Sequence, residues 1–267
     1  MILYANGCSM TYGSELVDEG TGDPALDSYR LAHAWPGRLG DFLDAKDVVN
    51  DAKYGGSNDR ILRTTIRWLL DHYLDDSAPQ TLVVVGWTGA MRREFYIDGE
   101  YHQVIPYHQQ THPQVKRLTD VYRNVAWNDH ECGDRLATQI LSLQSFLVLH
   151  RIPYLFFDSI ESSFDTLGRA GLADSSCAAA IDRTRYYRFG DADGSMADVL
   201  RAGGASWYGR HPAEDGHELW AHKLAAHIVG HQLLQRPGGQ SGRASSHDRP
   251  LRTRRTFRRA NQEFLYP

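Results

Sequence analysis

Met1-Ile2-Leu3-Tyr4-Ala5-Asn6-Gly7-Cys8-Ser9-Met10-Thr11-Tyr12-Gly13 opens the chain with a short apolar run that halts at a Gly-flanked serine. Ile2 to Ala5 is apolar without alternation, the pattern of a strand buried on both faces, as in a parallel sheet covered by helices on each side. The same pattern recurs further along. Val48-Val49-Asn50 reads as a second short strand, Thr81 to Thr88 as a central strand interrupted by Gly86, and Pro153 to Asp158 as a fourth. Between them lie stretches with helical spacing. Trp35 to Leu43 has Pro36 in its first turn, and Asn58 to Tyr73 sets Ile61, Leu62, Thr65, Ile66, Leu69 and Leu70 on one face. Residues 134–150 carry Leu136, Ile140, Leu143 and Leu147 in register, and Asp215 to Leu234 is a final amphipathic helix. This alternation predicts an α/β fold: a doubly wound parallel sheet with right-handed crossovers, in three layers α/β/α.

A chain of 267 residues with 42% hydrophobic residues has enough apolar surface for one sizeable domain, expected over residues 1–235. Three polar or irregular stretches read as insertions into it: 12–34, 95–130, which is rich in His, Tyr, Gln and Pro, and the partly helical 159–200. The formal net charge of −4 is unevenly spread: residues 236–267 hold eight arginines against Asp248 and Glu263, or +6, which leaves −10 on the rest. That Gly-, Ser- and Arg-rich tail reads as disordered, and the acidic body argues against a dedicated nucleic-acid protein. Cys8, Cys132 and Cys177 are scattered, without CxxC spacing, so neither a disulfide framework nor a zinc ribbon is expected and a cytoplasmic setting fits. No stretch approaches the roughly 18 apolar residues of a membrane span, and the short first strand lacks the basic lead of a signal segment.

In doubly wound sheets ligands sit at the carboxyl ends of the strands. Ser9, Gly55, Trp87, Asp158 and His211 all fall at or just past predicted strand ends, so they are candidates for one crevice. A serine hydroxyl is a weak nucleophile at neutral pH and needs an adjacent imidazole to take its proton, a role open to His211 in His211-Pro212-Ala213-Glu214-Asp215-Gly216-His217. Ser9 serving only as a helix cap is the plainer reading of the first cluster alone. Cys8, next to a strand-end serine, reads as small core filler, and His217 as a helix-start hydrogen-bonding residue. Arg92, in Arg92-Arg93-Glu94 beyond the central strand, could clamp a substrate carboxylate or phosphate, or belong to a solvated helix start. His102, His108 and His112 lack regular ligand spacing, so no metal is expected.

Taken in order, these clusters resemble the four blocks of the SGNH (GDSL-like) hydrolase superfamily, over nearly all of residues 1–225. Gly7, Ser9, Thr11 and Gly13 match the first block, with Cys8 in place of its Asp. Asn50, Ala52 and Gly55 match the second, and His211, Pro212, Gly216 and His217 the fourth. Two positions depart. The third block's Gly-x-Asn is Gly86-Trp87-Thr88, without the oxyanion-binding amide, and Tyr208 stands where the triad acid belongs.

The resemblance implies a flavodoxin-like SGNH hydrolase fold and an esterase with no cofactor, acting on a small-molecule or carbohydrate-like ester through an acyl-Ser9 intermediate. Read from the chemistry, the backbone N–H groups of Ser9 and Gly55 are the expected oxyanion donors, Asn58 replaces the missing amide with Trp87, Thr88 and Arg92 nearby, and Asp158 or a main-chain carbonyl orients His211. Two other readings use the same residues: an acyltransferase or thioesterase-like enzyme whose pocket is shaped by 95–130 and 159–200, and a binding protein that keeps the fold without catalysis.

Overall fold

The computed structural model describes residues 1–18, 23–73 and 80–234. The tail at 236–267, expected to be disordered, lies outside the described residues, as does part of the 12–34 segment.

Four strands form a parallel sheet: β1 (Ile2–Asn6), β2 (Asp47–Asn50), β3 (Thr81–Trp87) and, after a hairpin of β4 (Arg93–Ile97) and β5 (Glu100–Val104), β6 (Tyr154–Asp158). Their order is β2-β1-β3-β6, with Ile2 beside Asp47 on one flank and Thr81 on the other, and Trp87 beside Asp158. The chain steps outward from β1 to β2, then crosses back to β3. The direction therefore reverses between β1 and β3, and a crevice is expected beyond their carboxyl ends.

Every residue of β3 and β6 is buried, as the unbroken apolar runs require, and the pleat sends alternate residues into two separate cores. Tyr4, Val83, Val85, Trp87, Tyr154 and Phe156 face one core, with α4 (Asn58–His72), α6 (Asp129–Leu149) and α7 (Ser163–Arg169). Leu3, Ala5, Leu82, Val84, Leu155 and Phe157 face the other, with α3 (Trp35–Phe42), α9 (Met196–Ala202) and α10 (Glu214–Gly230). This is the expected α/β/α sandwich.

Three stretches differ from the sequence reading. The segment read as an inserted loop, 12–34, contains α2 (Pro24–His33), started by Pro24 and capped by Asp23, whose carboxylate accepts the Ala25 N–H at 2.8 Å. Within 95–130 the chain forms the β4–β5 hairpin, then α5 (Pro113–Val121) and a π-helical turn over Tyr122–Ala126. Asp98 and Gly99 turn the hairpin with φ of 52° and 88°, the left-handed pair that a two-residue turn demands. Arg93-Glu94 thus opens a strand, not a helix: Arg93 pairs with Asp59 and Glu131, and Glu94 with Arg63. Leu70, placed on the apolar face of α4, is 51% exposed, because the buried stripe runs through Ile61, Thr65 and Leu69 and the next residue turns off it.

Candidate active site

The turn after β1 is built by its own side chains. Asn6 Oδ1 accepts the Gly7 N–H at 2.8 Å, and its amide donates to Tyr4 Oη, Thr64 Oγ1 and Thr65 Oγ1 at 3.1, 2.9 and 2.9 Å. A side chain so anchored fixes where the strand stops. Cys8 then caps the one-turn helix α1 (Ser9–Tyr12), which ends at Gly13, and Ser9 is its first residue. Asn50, at the end of β2, donates to the Thr11 carbonyl at 3.0 Å. The loop beyond it folds under the turn, where Lys53 N–H donates to the Gly7 carbonyl at 3.3 Å. That contact sets Gly55 beside Ser9. Neither the Ser9 nor the Gly55 N–H has an acceptor among the described residues, so two backbone donors are left free at the crevice.

The other half comes from the far end of the chain. Trp207–Tyr208 (β7) pairs antiparallel with His211–Pro212 (β8), and this small hairpin feeds directly into α10. Behind the His211 ring stands Glu15, not Asp158. Glu15 Oε1 lies 3.1 Å from His211 Nδ1, at an angle short of a straight hydrogen bond. Glu15 Oε2 accepts the N–H groups of Arg210 and His211 at 3.0 and 3.3 Å. Burial alone would raise the Glu15 carboxyl. The His211 ring and the Arg210 N–H outweigh it and hold the group below its ordinary range, so it is ionised near neutral pH. Gly209 makes the fit possible: its φ is +56°, and a Cβ there would lie 3.0 and 3.3 Å from the two Glu15 carboxylate oxygens.

Ser9, Gly55 and His211 line one pocket of about 200 Å³. Ile105 and His108 from the 95–130 region, and Ile160 and Ala197 from 159–200, complete its walls, so both long segments shape it.

A model of a family of unknown function, DUF6071, matches residues 14–241. The chain belongs to the DUF6071 family. No curated protein matches this chain. Solved structures that are similar to it include a member of the lipolytic protein G-D-S-L family from Veillonella parvula, 11% identical over 84% of this chain and 95% of that one, TM-score 0.41. A psychrotrophic esterase from Pseudoalteromonas is 11% identical over 86% and 97% of the two chains, TM-score 0.43. A carbohydrate acetylesterase from Sinorhizobium meliloti is 12% identical over 86% and 98%, TM-score 0.43. At such identities the likeness is one of fold alone.

Of the residues singled out in the sequence, Ser9, Gly55, Arg92 and His211 line the pocket, and four others do not. Asp158 is the main correction. It shares the pleat direction of Tyr154 and Phe156, so its carboxylate enters the core opposite to that of α10. There it accepts the Ser163 N–H, the Ser163 hydroxyl and the Tyr186 hydroxyl at 2.9, 2.5 and 2.6 Å, and burial raises it to about 6. Asn58 is corrected too. Its amide clasps the backbone of Thr88, donating to the carbonyl and accepting the N–H at 2.9 Å each, so it holds the end of β3 and is buried outside the pocket lining. Trp87 packs edge-on against Phe156 in the first core, and Thr88 is buried behind the Asn58 clasp.

Other expectations also find their places. Cys8 is fully buried in the second core. His217, buried and neutral because burial drives its pKa down to about 3, accepts the Trp35 N–H at Nδ1, 3.2 Å away. It thereby satisfies an otherwise orphan donor at the start of α3. Tyr208 donates to Glu214 at 2.7 Å on the surface, away from any triad role. Among the described residues no group of three or more His, Cys, Asp or Glu could hold a metal ion, and no helix is long and apolar enough to cross a membrane. Sequence reasoning missed Glu15 and Arg210, and weighed His108, which lines the pocket, only as a metal ligand. Glu15 meets His211 across 196 positions, and only the tertiary fold reveals that.

Proposed function

We propose that this protein is a serine hydrolase of SGNH type that cleaves a small-molecule ester, with Ser9 as nucleophile, His211 as base and Glu15 as the acid behind the imidazole. The observation that carries the reading is the Glu15 carboxylate 3.1 Å from His211 Nδ1, on an imidazole that shares a pocket with Ser9. A carboxylate at Nδ1 keeps the proton on that nitrogen, so Nε2 is the basic one. His211 Nε2 takes the Ser9 proton as Oγ attacks the ester carbonyl, and the imidazolium that forms is stabilised by Glu15. The tetrahedral oxyanion meets the free N–H groups of Ser9 and Gly55. His211 then returns the proton to the departing alcohol, leaving acyl-Ser9. Water, deprotonated by the same ring, releases the acid and regenerates the hydroxyl.

The Asp and Asn missing from the family's blocks are the grounds for reading the chain as a non-catalytic binding protein. Glu15 supplies a carboxylate from another part of the chain and supports catalysis. The apolar walls contributed by Ile105 and Ile160 support acyl transfer as a second outcome, since a pocket that restricts water lets an alcohol compete for the acyl group. The test is hydrolysis of p-nitrophenyl acetate by the full chain, with and without added alcohols. Ser9→Ala and His211→Ala are each expected to lose at least about a thousandfold in kcat. Equal rates in wild type and both variants would refute the assignment, and products dominated by the transferred ester would select the second reading.

A further inference from the structure

The charge of the pocket runs against that of the body around it. Three arginines line it, Arg92, Arg201 and Arg210, with no Asp or Glu among the lining residues, although the chain outside its tail carries a formal −10. Several arginines elsewhere in the fold are paired: Arg60 with Asp51, Arg63 with Glu94, Arg135 with Glu131 and Asp59. Within the pocket Arg201 leans over the Trp207 ring and stands 3.9 Å from Asp198. Arg92 makes one long side-chain contact, 3.4 Å to the Gly56 carbonyl, and Arg210 engages Glu15 only through its backbone N–H. Neither guanidinium has an acidic partner among the described residues. Both act on one place, because the pKa of His108 is lowered first by burial and then by the charges of Arg92 and Arg210.

Two guanidinium groups without an acidic partner thus stand at one cavity, Arg92 half-buried and Arg210 exposed. Each offers forked N–H donors that match the oxygens of a carboxylate or phosphate. Arg92 comes from the stretch after β3 and Arg210 from the β7–β8 hairpin, so the two reach the same pocket from separate elements.

We propose that the pocket takes an ester whose body carries an anionic group, a carboxylate or a phosphate, held between Arg92 and Arg210. The word ester rests on the hydrolase reading above, whereas the anion rests on the pocket alone. The two are therefore tested apart. In the first arm, Ser9→Ala protein, which cannot turn over, is titrated calorimetrically with inorganic phosphate and separately with succinate, and the tighter of the two identifies the group. Arg92→Gln and Arg210→Gln, each in that background, are expected to weaken the preferred anion by about tenfold or more, with affinity falling as salt rises. In the second arm, wild-type protein is offered mono-p-nitrophenyl succinate beside p-nitrophenyl acetate, and the ratio of their kcat/KM values is expected to fall about tenfold in each arginine variant when succinate is the preferred anion. Failure of both anions to bind, or binding unchanged in both arginine variants, overturns the proposal even if Ser9 proves to be a nucleophile. Arginine-dependent binding by a chain that hydrolyses neither ester upholds the anion site and removes the hydrolase reading instead.

Discussion

Replacing Glu15 by Gln keeps the shape of the side chain and removes its charge, so the effect reports the electrostatic share of its contact with His211. At the 3.1 Å separation of Oε1 and Nδ1, two unit charges attract by roughly 1.3 kcal/mol at the dielectric of water and roughly 5 kcal/mol at a near-surface value of about 20. The Glu15 side chain is 39% exposed against 11% for His211, which places the pair toward the screened end. An imidazolium that loses roughly 1.4–2.7 kcal/mol of stabilisation slows the acylation step about 10- to 100-fold. The assay is kcat/KM for p-nitrophenyl acetate at pH 7.5 in low and high salt, with the drop expected to shrink as salt screens the wild-type pair. Asp158→Asn in the same assay is expected to change kcat/KM far less, because its carboxylate serves Ser163 and Tyr186 in the opposite core. A Glu15→Gln enzyme within twofold of wild type, or an Asp158→Asn enzyme that loses more than Glu15→Gln, would refute the assignment of the triad acid.

Three further outcomes are expected. Gly209→Ala brings a Cβ to 3.0 Å from Glu15 Oε2 at a backbone φ of +56°; activity should fall toward the Glu15→Gln level, and the double variant should lose little more than Glu15→Gln alone, read as a double-mutant cycle of kcat/KM. Asn58→Ala strips the buried Thr88 N–H and carbonyl of both partners, a cost of roughly 2–4 kcal/mol measurable as a lower midpoint in urea unfolding. His217 titrates at about 3 when folded and 6.5 when unfolded, so between those values the unfolded chain binds the extra proton and stability falls as pH drops below 6.5. The slope from this group is at most about 1.4 kcal/mol per pH unit, and His217→Gln, whose amide oxygen can still accept the Trp35 N–H, should flatten the fall in stability between pH 6.5 and 5.

The framework was legible because its signals are local. Strands buried on both faces show as apolar runs such as Leu82-Val83-Val84-Val85, and α4 and α6 show as apolar residues three and four apart. Parts of the irregular stretches carried signals of equal quality: Asp23-Pro24 is a helix start, and Asp98-Gly99 between Phe95-Tyr96-Ile97 and Tyr101 is a hairpin turn. Ser9 and His211 were readable as chemistry, Ser9 just past the first strand and His211 in a His-Pro pair that leads into the last helix. Asp158 illustrates what strand-end position leaves out. Counting the pleat from Tyr154 through Phe156 assigns it to the core of α6, whereas His211 leads into α10 on the far side of the sheet. Asn58 had the right chemistry and the wrong direction, since its amide turns inward to the end of β3. Glu15 had no local signal. Its role exists only because a backbone of φ +69° turns its carboxylate toward the β7–β8 hairpin, where Gly209 leaves room for it.

The most direct test of a nucleophilic Ser9 served by His211 is covalent capture. Wild-type protein, Ser9→Ala and His211→Ala are treated with a fluorophosphonate, and the adduct is located by peptide mass spectrometry. One adduct per chain is expected on Ser9 in the wild type, none in Ser9→Ala, and a much slower one in His211→Ala. An adduct that persists in Ser9→Ala, or forms as fast without the imidazole, would contradict the account.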